Sequence, residues 1–223
     1  MRDYSLDIPG LLGARLCHDL ISPVGAISNG LELLQLSGDL NGPERDLIAD
    51  SAASASGRLQ MFRLAFGRAS GGQLMSAADI RLIVQNYAQG TDVQFIWHGD
   101  ADVDRDQAKM AVLILMCLET IIGRAGHVEA RQTEKGWIFL ATAKRPVNAT
   151  AAFSALLDGS DWPYDLSPAD VHFPLARLAC EGLRKTLQAE TGDQSVTITV
   201  NRIDLPGAAN VNREQSRRLL QDI

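Results

Sequence analysis

Arg15-Leu16-Cys17-His18-Asp19-Leu20-Ile21-Ser22-Pro23-Val24 is the stretch from which the rest of the chain can be read. Around it, Leu12, Leu16, Leu20, Pro23, Ile27, Leu31 and Leu34 recur at steps of three and four residues, the spacing of one buried helical face. At about 100° per residue, His18 falls roughly 200° from Leu16, on the far side of the cylinder. The same wheel sets Ser22, Gly25 and Asn29 beside it, a stripe of small and polar side chains that lets another protein approach closely. Pro23 has no N–H, so the carbonyl of Asp19 loses its helical partner and a kink is expected just past the histidine.

Working outward, this helix spans residues 7–36 and runs into Ser37-Gly38-Asp39-Leu40-Asn41-Gly42-Pro43, turn formers that stop one helix and place proline at the start of the next. The second helix, residues 43–69, carries Ile48, Ala52, Ala55, Leu59, Phe62 and Phe66 in a heptad-like seam. Two helices joined so briefly pack antiparallel, and a lone hairpin has too little core to stand by itself. Its leftover apolar surface predicts a homodimer, a four-helix bundle with one His18 on each outer face.

After Ser70-Gly71-Gly72 the pattern changes. Ser76 with Asp79 opens a helix like a capping box, and Val93, Phe95 and Trp97 alternate as a strand ending near Gly99. An apolar helix over 104–122, strands over 127–133 and 137–143, a helix over 174–190 and a strand over 195–200 follow, with 145–173 irregular. The fold class is therefore α+β: a helical hairpin at 1–70, an α/β sandwich at 73–202, and a polar tail at 203–223 that carries no assigned function.

The 223 residues are 46% hydrophobic and 22% charged, the composition of an ordinary globular protein, and the net charge of −6 with no basic run argues against nucleic-acid binding. The longest apolar stretch, 110–118, is too short to cross a bilayer, and residues 1–10 have no leader pattern, so no membrane association and a cytoplasmic location are expected. Cys17, Cys117 and Cys180 are too widely spaced for a metal cluster and read as reduced thiols.

A neutral imidazole is a competent nucleophile toward phosphorus, and the phosphoramidate it forms can still hand its phosphoryl group to a carboxylate. Asp19 can orient the ring through its second nitrogen. The pattern His-acidic-Leu-x-Ser-Pro-aliphatic on the first helix of a hairpin resembles the phospho-acceptor box of two-component sensor kinases, in which an ATP-binding α/β domain follows. The resemblance stops at the nucleotide: the chain contains no Gly-x-Gly, and the helix 111–122 contains no Asn. A sensor-kinase layout without its nucleotide site, together with Arg15 to Asp19, Ser22-Pro23 and Phe62-Arg63-Leu64-Ala65-Phe66-Gly67, is similar to the ChpT-type histidine phosphotransferases of alphaproteobacteria.

That resemblance implies that His18 takes a phosphoryl group from the receiver domain of a hybrid kinase and passes it to response-regulator receivers, with Asp19 in support. It implies no bound cofactor, the Mg²⁺ being supplied by the receiver's acidic pocket. Arg15, three residues before His18, is read either as a charge that attracts this acidic partner or as a solvated side chain, and Arg58 and Arg63 share the ambiguity. Alternatives are a non-enzymatic dimeric scaffold that binds receivers, and an ATP-dependent kinase. Asp100, Asp102, Asp104 and Asp106 lack the glycine and glutamate of a calcium loop and read as acidic residues at a helix start. His98 and His127 lack a third metal ligand in recognisable spacing, His172 reads as structural or surface, and Trp97, Trp137 and Trp162 read as core and loop anchors.

Overall fold

In the computed structural model, which describes residues 6–37, 42–68 and 72–203, helix α1 (Ile8–Ser37) runs on through Pro23, and α2 (Pro43–Phe66) begins with proline at its first position. Glu44 and Asp46 lie in the first turn of α2, where carboxylates favour the positive end of the helix dipole. The helices are antiparallel: Gly30 of α1 lies against Ile48 and the Glu44 carbonyl, whereas Asp19 faces Arg58. The turn formers at 38–41 that were expected to join them lie outside the described residues, as do Ser70 and Gly71 and the tail at 204–223.

Only part of the expected seam on α2 is buried. Phe62 is inside, but Ala52 and Leu59 are exposed, and the lower half of the helix instead buries Gly57, Met61, Leu64 and Ala65. That face packs on the α/β layer, which opens with β1 (Leu74–Met75) and α3 (Ala77–Ala88). Gly57 permits the approach, because a Cβ there would collide with the Asn86 carbonyl. Met61, Phe62, Leu64 and Ala65 belong to the same core cluster as the sheet, so hairpin and α/β layer share one apolar interior.

Strand β2 (Val93–His98) follows, then β3 (Val103–Asp104), which pairs with β1 in a two-stranded ribbon. Helix α4 (Arg105–Ile122) is capped by Asp104, whose carboxylate accepts the Asp106 N–H at 2.9 Å; these two acidic residues form a helix start, as expected, whereas Asp100 and Asp102 precede β3 and Asp100 pairs with Arg81 at 2.9 Å. Ser76 caps α3 in the same way through the Asp79 N–H at 3.0 Å. Beyond α4 come β4 (Gly126–Gln132) and β5 (Gly136–Ala143).

Two expectations fail in the next segment. Residues 145–173 are not irregular throughout: α5 (Ala151–Asp158) starts at Thr150, whose hydroxyl accepts the Phe153 N–H, and stops at left-handed Gly159. Nor is 174–190 one helix. Helix α6 (His172–Gly182) ends at a reversal through Arg184, with φ 53°, and the chain returns as β6 (Lys185–Thr191) before β7 (Ser195–Arg202). Leu187, Gln188, Ala189 and Glu190 favour a helix locally, but an edge strand hydrogen-bonded to β7 satisfies their backbone, and that pairing prevails.

The five-stranded sheet has the order β2-β4-β5-β7-β6, with β2 and β4 parallel across α4 and the other pairs antiparallel. Phe95, Trp97, Val128, Trp137, Phe139, Ile198 and Val200 are buried under the helices, and alternate with exposed or half-buried residues on the other face. Trp97 and Trp137 are core anchors, and Trp162 lies under the Arg177 guanidinium at 3.9 Å, as a loop anchor should. Among the described residues no helix is long and apolar enough to cross a membrane.

Candidate functional site

His18 stands on the outside of α1 with 86% of its side chain exposed, yet its neighbour Asp19 is only 8% exposed. The two meet at 3.0 Å between His18 Nδ1 and Asp19 Oδ1. An ionised carboxylate has no hydrogen to give, so this contact requires the proton on Nδ1 and leaves the lone pair on Nε2. Asp19 is itself held from behind: Arg15 Nε donates to Oδ2 at 2.6 Å, and an Arg58 Nη lies 3.9 Å from the same oxygen.

The position of Arg15 speaks against its reading as a solvated charge. Its side chain is 14% exposed, and its other end donates to the Ala169 carbonyl at 2.6 Å, in the 3-10 turn Pro168–Asp170 ahead of α6. Arg58 is likewise occupied, donating to the Gly90 carbonyl at 3.0 Å in the loop between α3 and β2. Arg63 is exposed.

A groove of about 630 Å³ opens beside the histidine. His18, Asp19, Ser22, Pro23 and Ala26 form its α1 wall; Asp50, Ser51, Ser54 and Arg58 form the α2 wall; Gln89 to Asp92 close the end. Of the expected stripe, Ser22 therefore joins His18 in the groove, while Gly25 and Asn29 are exposed further along α1 without lining it. A Cβ on Gly25 would meet nothing within 4 Å, so the stripe is open to an approaching surface. Sequence reasoning missed the loop at 89–92 altogether, since only the fold brings it to α2.

Behind the two arginines, buried Tyr87 meets half-buried Glu119. Tyr87 donates to Glu119 Oε2 at 2.8 Å. Burial pushes the Glu119 carboxyl up, against the Tyr87 hydrogen bond and the Arg15 and Arg58 charges, which act in the opposite sense. Burial is also the main cause that raises the Tyr87 hydroxyl, with the Glu119 charge second. Nearby, His172 is 1% exposed, with Nε2 3.1 Å from the Thr120 hydroxyl and its ring on Phe173. Burial, with the Arg15 charge beside it, pushes the His172 imidazole down to about 3.

On the open face of the sheet, His98 and His127 share a carboxylate, their Nε2 atoms 2.7 and 3.2 Å from the two oxygens of Glu129. Among the described residues no group of His, Cys, Asp and Glu has an arrangement that could hold a metal ion. Cys117 and Cys180 are buried free thiols, and Cys17 is exposed.

Residues 77–195, from α3 into β7, match the family described as Histidine phosphotransferase C-terminal domain. The chain belongs to the histidine phosphotransferase family. It is 32% identical over 196 residues to "Protein phosphotransferase ChpT" of Brucella abortus (strain 2308), a match that covers 85% of this chain and 93% of that one. A solved structure titled as a bacterial phosphotransferase superposes with a TM-score of 0.72 at 27% identity, covering 90% of this chain and 98% of the other. The resemblance read from the His18 box, and the α+β fold with N-terminal helices, are thereby borne out. This histidine phosphotransferase presents, in its N-terminal hairpin, one histidine whose ring is solvent-exposed and whose Nδ1 is fixed by a buried carboxylate.

Proposed function

We propose that His18 is the phospho-acceptor of this phosphorelay protein, and that its donors and acceptors are receiver domains of a hybrid kinase and of response regulators. The observation that carries the reading is the contrast between the exposed imidazole and the buried carboxylate on its Nδ1. In the transfer, the Nε2 lone pair attacks the phosphorus of a receiver aspartyl phosphate. The P–O bond to that carboxylate breaks, the receiver keeps the electron pair, and the phosphoryl group rests on Nε2. The Nδ1 proton stays on the hydrogen bond to Asp19, which offsets the positive charge that develops on the ring. The reverse sequence loads the next receiver.

Little covalent work falls to the chain, because in-line placement and charge neutralisation dominate phosphoryl transfer. Mg²⁺ arrives with the receiver, whose acidic pocket holds it. The groove beside His18, with Ser22 on its wall and Gly25 and Asn29 along its rim, is the face the receiver covers. Ile21, Val24 and Leu31 are exposed on α1, about 60–140° round from His18 on the side away from Ser22, and Leu59 is exposed on α2. An apolar band placed there supports a homodimer through a four-helix bundle that leaves both histidines uncovered.

The test uses an isolated phosphorylated receiver domain as donor. His18→Gln is expected to abolish acid-labile, base-stable label on this chain and to leave its oligomeric state unchanged. Labelling of the variant at the wild-type rate overturns the assignment. Receiver binding without label on the wild-type protein supports the scaffold reading instead.

A further inference from the structure

We propose that Arg15 and Arg58 are positioning residues for the transfer, through which the α/β domain holds the Asp19 carboxylate, and with it His18, in the reactive orientation. The inference rests on His18 as the acceptor and concerns what aims it. Arg15 hydrogen-bonds Asp19 at one end and a backbone carbonyl of the second domain at the other, and Arg58 hydrogen-bonds such a carbonyl while standing within ion-pair distance of Asp19. Arg15 bridges Oδ2 to Ala169, at 2.6 Å on both sides, and Arg58 stands 3.9 Å from Oδ2 while donating to Gly90 at 3.0 Å.

With Oδ2 occupied by the Arg15 fork, Oδ1 is the oxygen left to face the imidazole, and its 3.0 Å contact fixes the proton on Nδ1. A carboxylate free to rotate would offer either oxygen, or turn to water, and the ring would then sample both tautomers. One of the two anchors is closely packed: Gly90 is seated on α2 so that a Cβ there would come within 2.6 Å of Ser54 Oγ. The α/β domain, which the sequence shows without glycine-rich phosphate loops, thus has a use in this chain that needs no nucleotide: it is the support against which the acceptor carboxylate is braced.

Two measurements on the full chain test this. The first uses phosphoramidate as a small donor, so that His18 Nε2 displaces ammonia from phosphorus and no receiver has to dock. Arg15→Gln and Arg58→Gln are expected to slow this reaction about tenfold, and to slow transfer from a phosphorylated receiver by the same factor. Loss confined to the receiver reaction would mean that the arginines serve docking, and would overturn the proposal. Arg63→Gln, on the exposed side of α2, should leave the phosphoramidate rate unchanged.

The second reads the tautomer directly. Nitrogen-15 spectra of His18 should show the Nδ1–H form in the wild-type protein and a mixture in either variant; an unchanged tautomer refutes the bracing. If the variants do not fold, the wild-type background still decides. Asp19→Asn should then shift the Nε resonance of Arg15, and an unmoved Arg15 signal refutes the contact on which the proposal depends. The acceptor reading fails separately, by label on His18→Gln.

Discussion

His172 gives the sharpest quantitative prediction, because it is a neutral imidazole that the folded chain does not allow to charge. Its ring is 1% exposed, Thr120 holds Nε2, Nδ1 has no partner among the described residues, and burial next to Arg15 brings the group down to about 3 from an ordinary 6.5. The sign follows from linkage: between these values the unfolded chain binds a proton that the folded chain refuses, so stability falls as pH falls. It is intact above the unfolded value and erodes through the window from 6.5 down to 3. Going from pH 7 to pH 5, the unfolded state gains about 2 kcal/mol from protonating this one side chain. Over that interval the figure changes little for any folded value below about 4, since the folded histidine is then still neutral at pH 5.

The perturbation is His172→Phe, which keeps a ring on Phe173 and lets the Thr120 hydroxyl turn to a carbonyl of its own helix. Urea unfolding at both pH values gives the loss of stability for each protein. Asp170 and Glu119, both pushed up by burial, titrate with the opposite sign but are present in both chains, so the difference between the two losses isolates His172. The wild-type chain should lose about 2 kcal/mol more than the variant. Equal losses would show that His172 accepts a proton in the folded state, and the account of its burial would be wrong.

Gly25→Arg adds a long side chain beside His18 where nothing lies within 4 Å, so it should block transfer from a phosphorylated receiver while leaving the phosphoramidate reaction and the circular dichroism melt intact. Normal receiver transfer by that variant would place the docking face elsewhere. Titration calorimetry with Mg-ATP should give no heat of binding, because the groove between α4 and α6 is lined by Leu175, Leu178, Ala179 and Leu183 with only Asp106 and Lys109 as charges. Micromolar binding would revive the kinase alternative.

What was legible in the sequence is what local chemistry determines. The apolar stripe of α1 put His18 outside, and the caps at Ser76 and Asp104 announced their helices, because each depends on residues within a turn or two. Helix α5 escaped because its eight residues are too few to show a period, although Thr150 before it and Gly159 after it were usable signals. Strand β6 escaped because its residue types prefer a helix, and only the neighbouring β7 decides otherwise. Arg15 was half legible. Its spacing of four from Asp19 is that of a helical ion pair, but which way the pair faces depends on the Ala169 carbonyl, a partner 154 positions away.

The same limit explains why a polar layer lies between the hairpin and the α/β domain with no trace in the composition. Arg15, Asp19, Arg58, Tyr87 and Glu119 come from four helices, and each alone reads as an ordinary surface residue. Packed together, with Tyr87 buried and the other four half-buried, they constrain one another, because a desolvated charge or hydroxyl without a partner is costly and every member here limits where its neighbour can turn. A purely apolar interface would bury α2 against α3 and α4 as well, but it would tolerate sliding and rotation by a few degrees. Hydrogen bonds of 2.6 Å from Arg15 to both Asp19 and Ala169 do not. Apolar packing through Gly57, Met61 and Leu64 therefore brings the two parts together, and the polar layer sets their register at the level of His18.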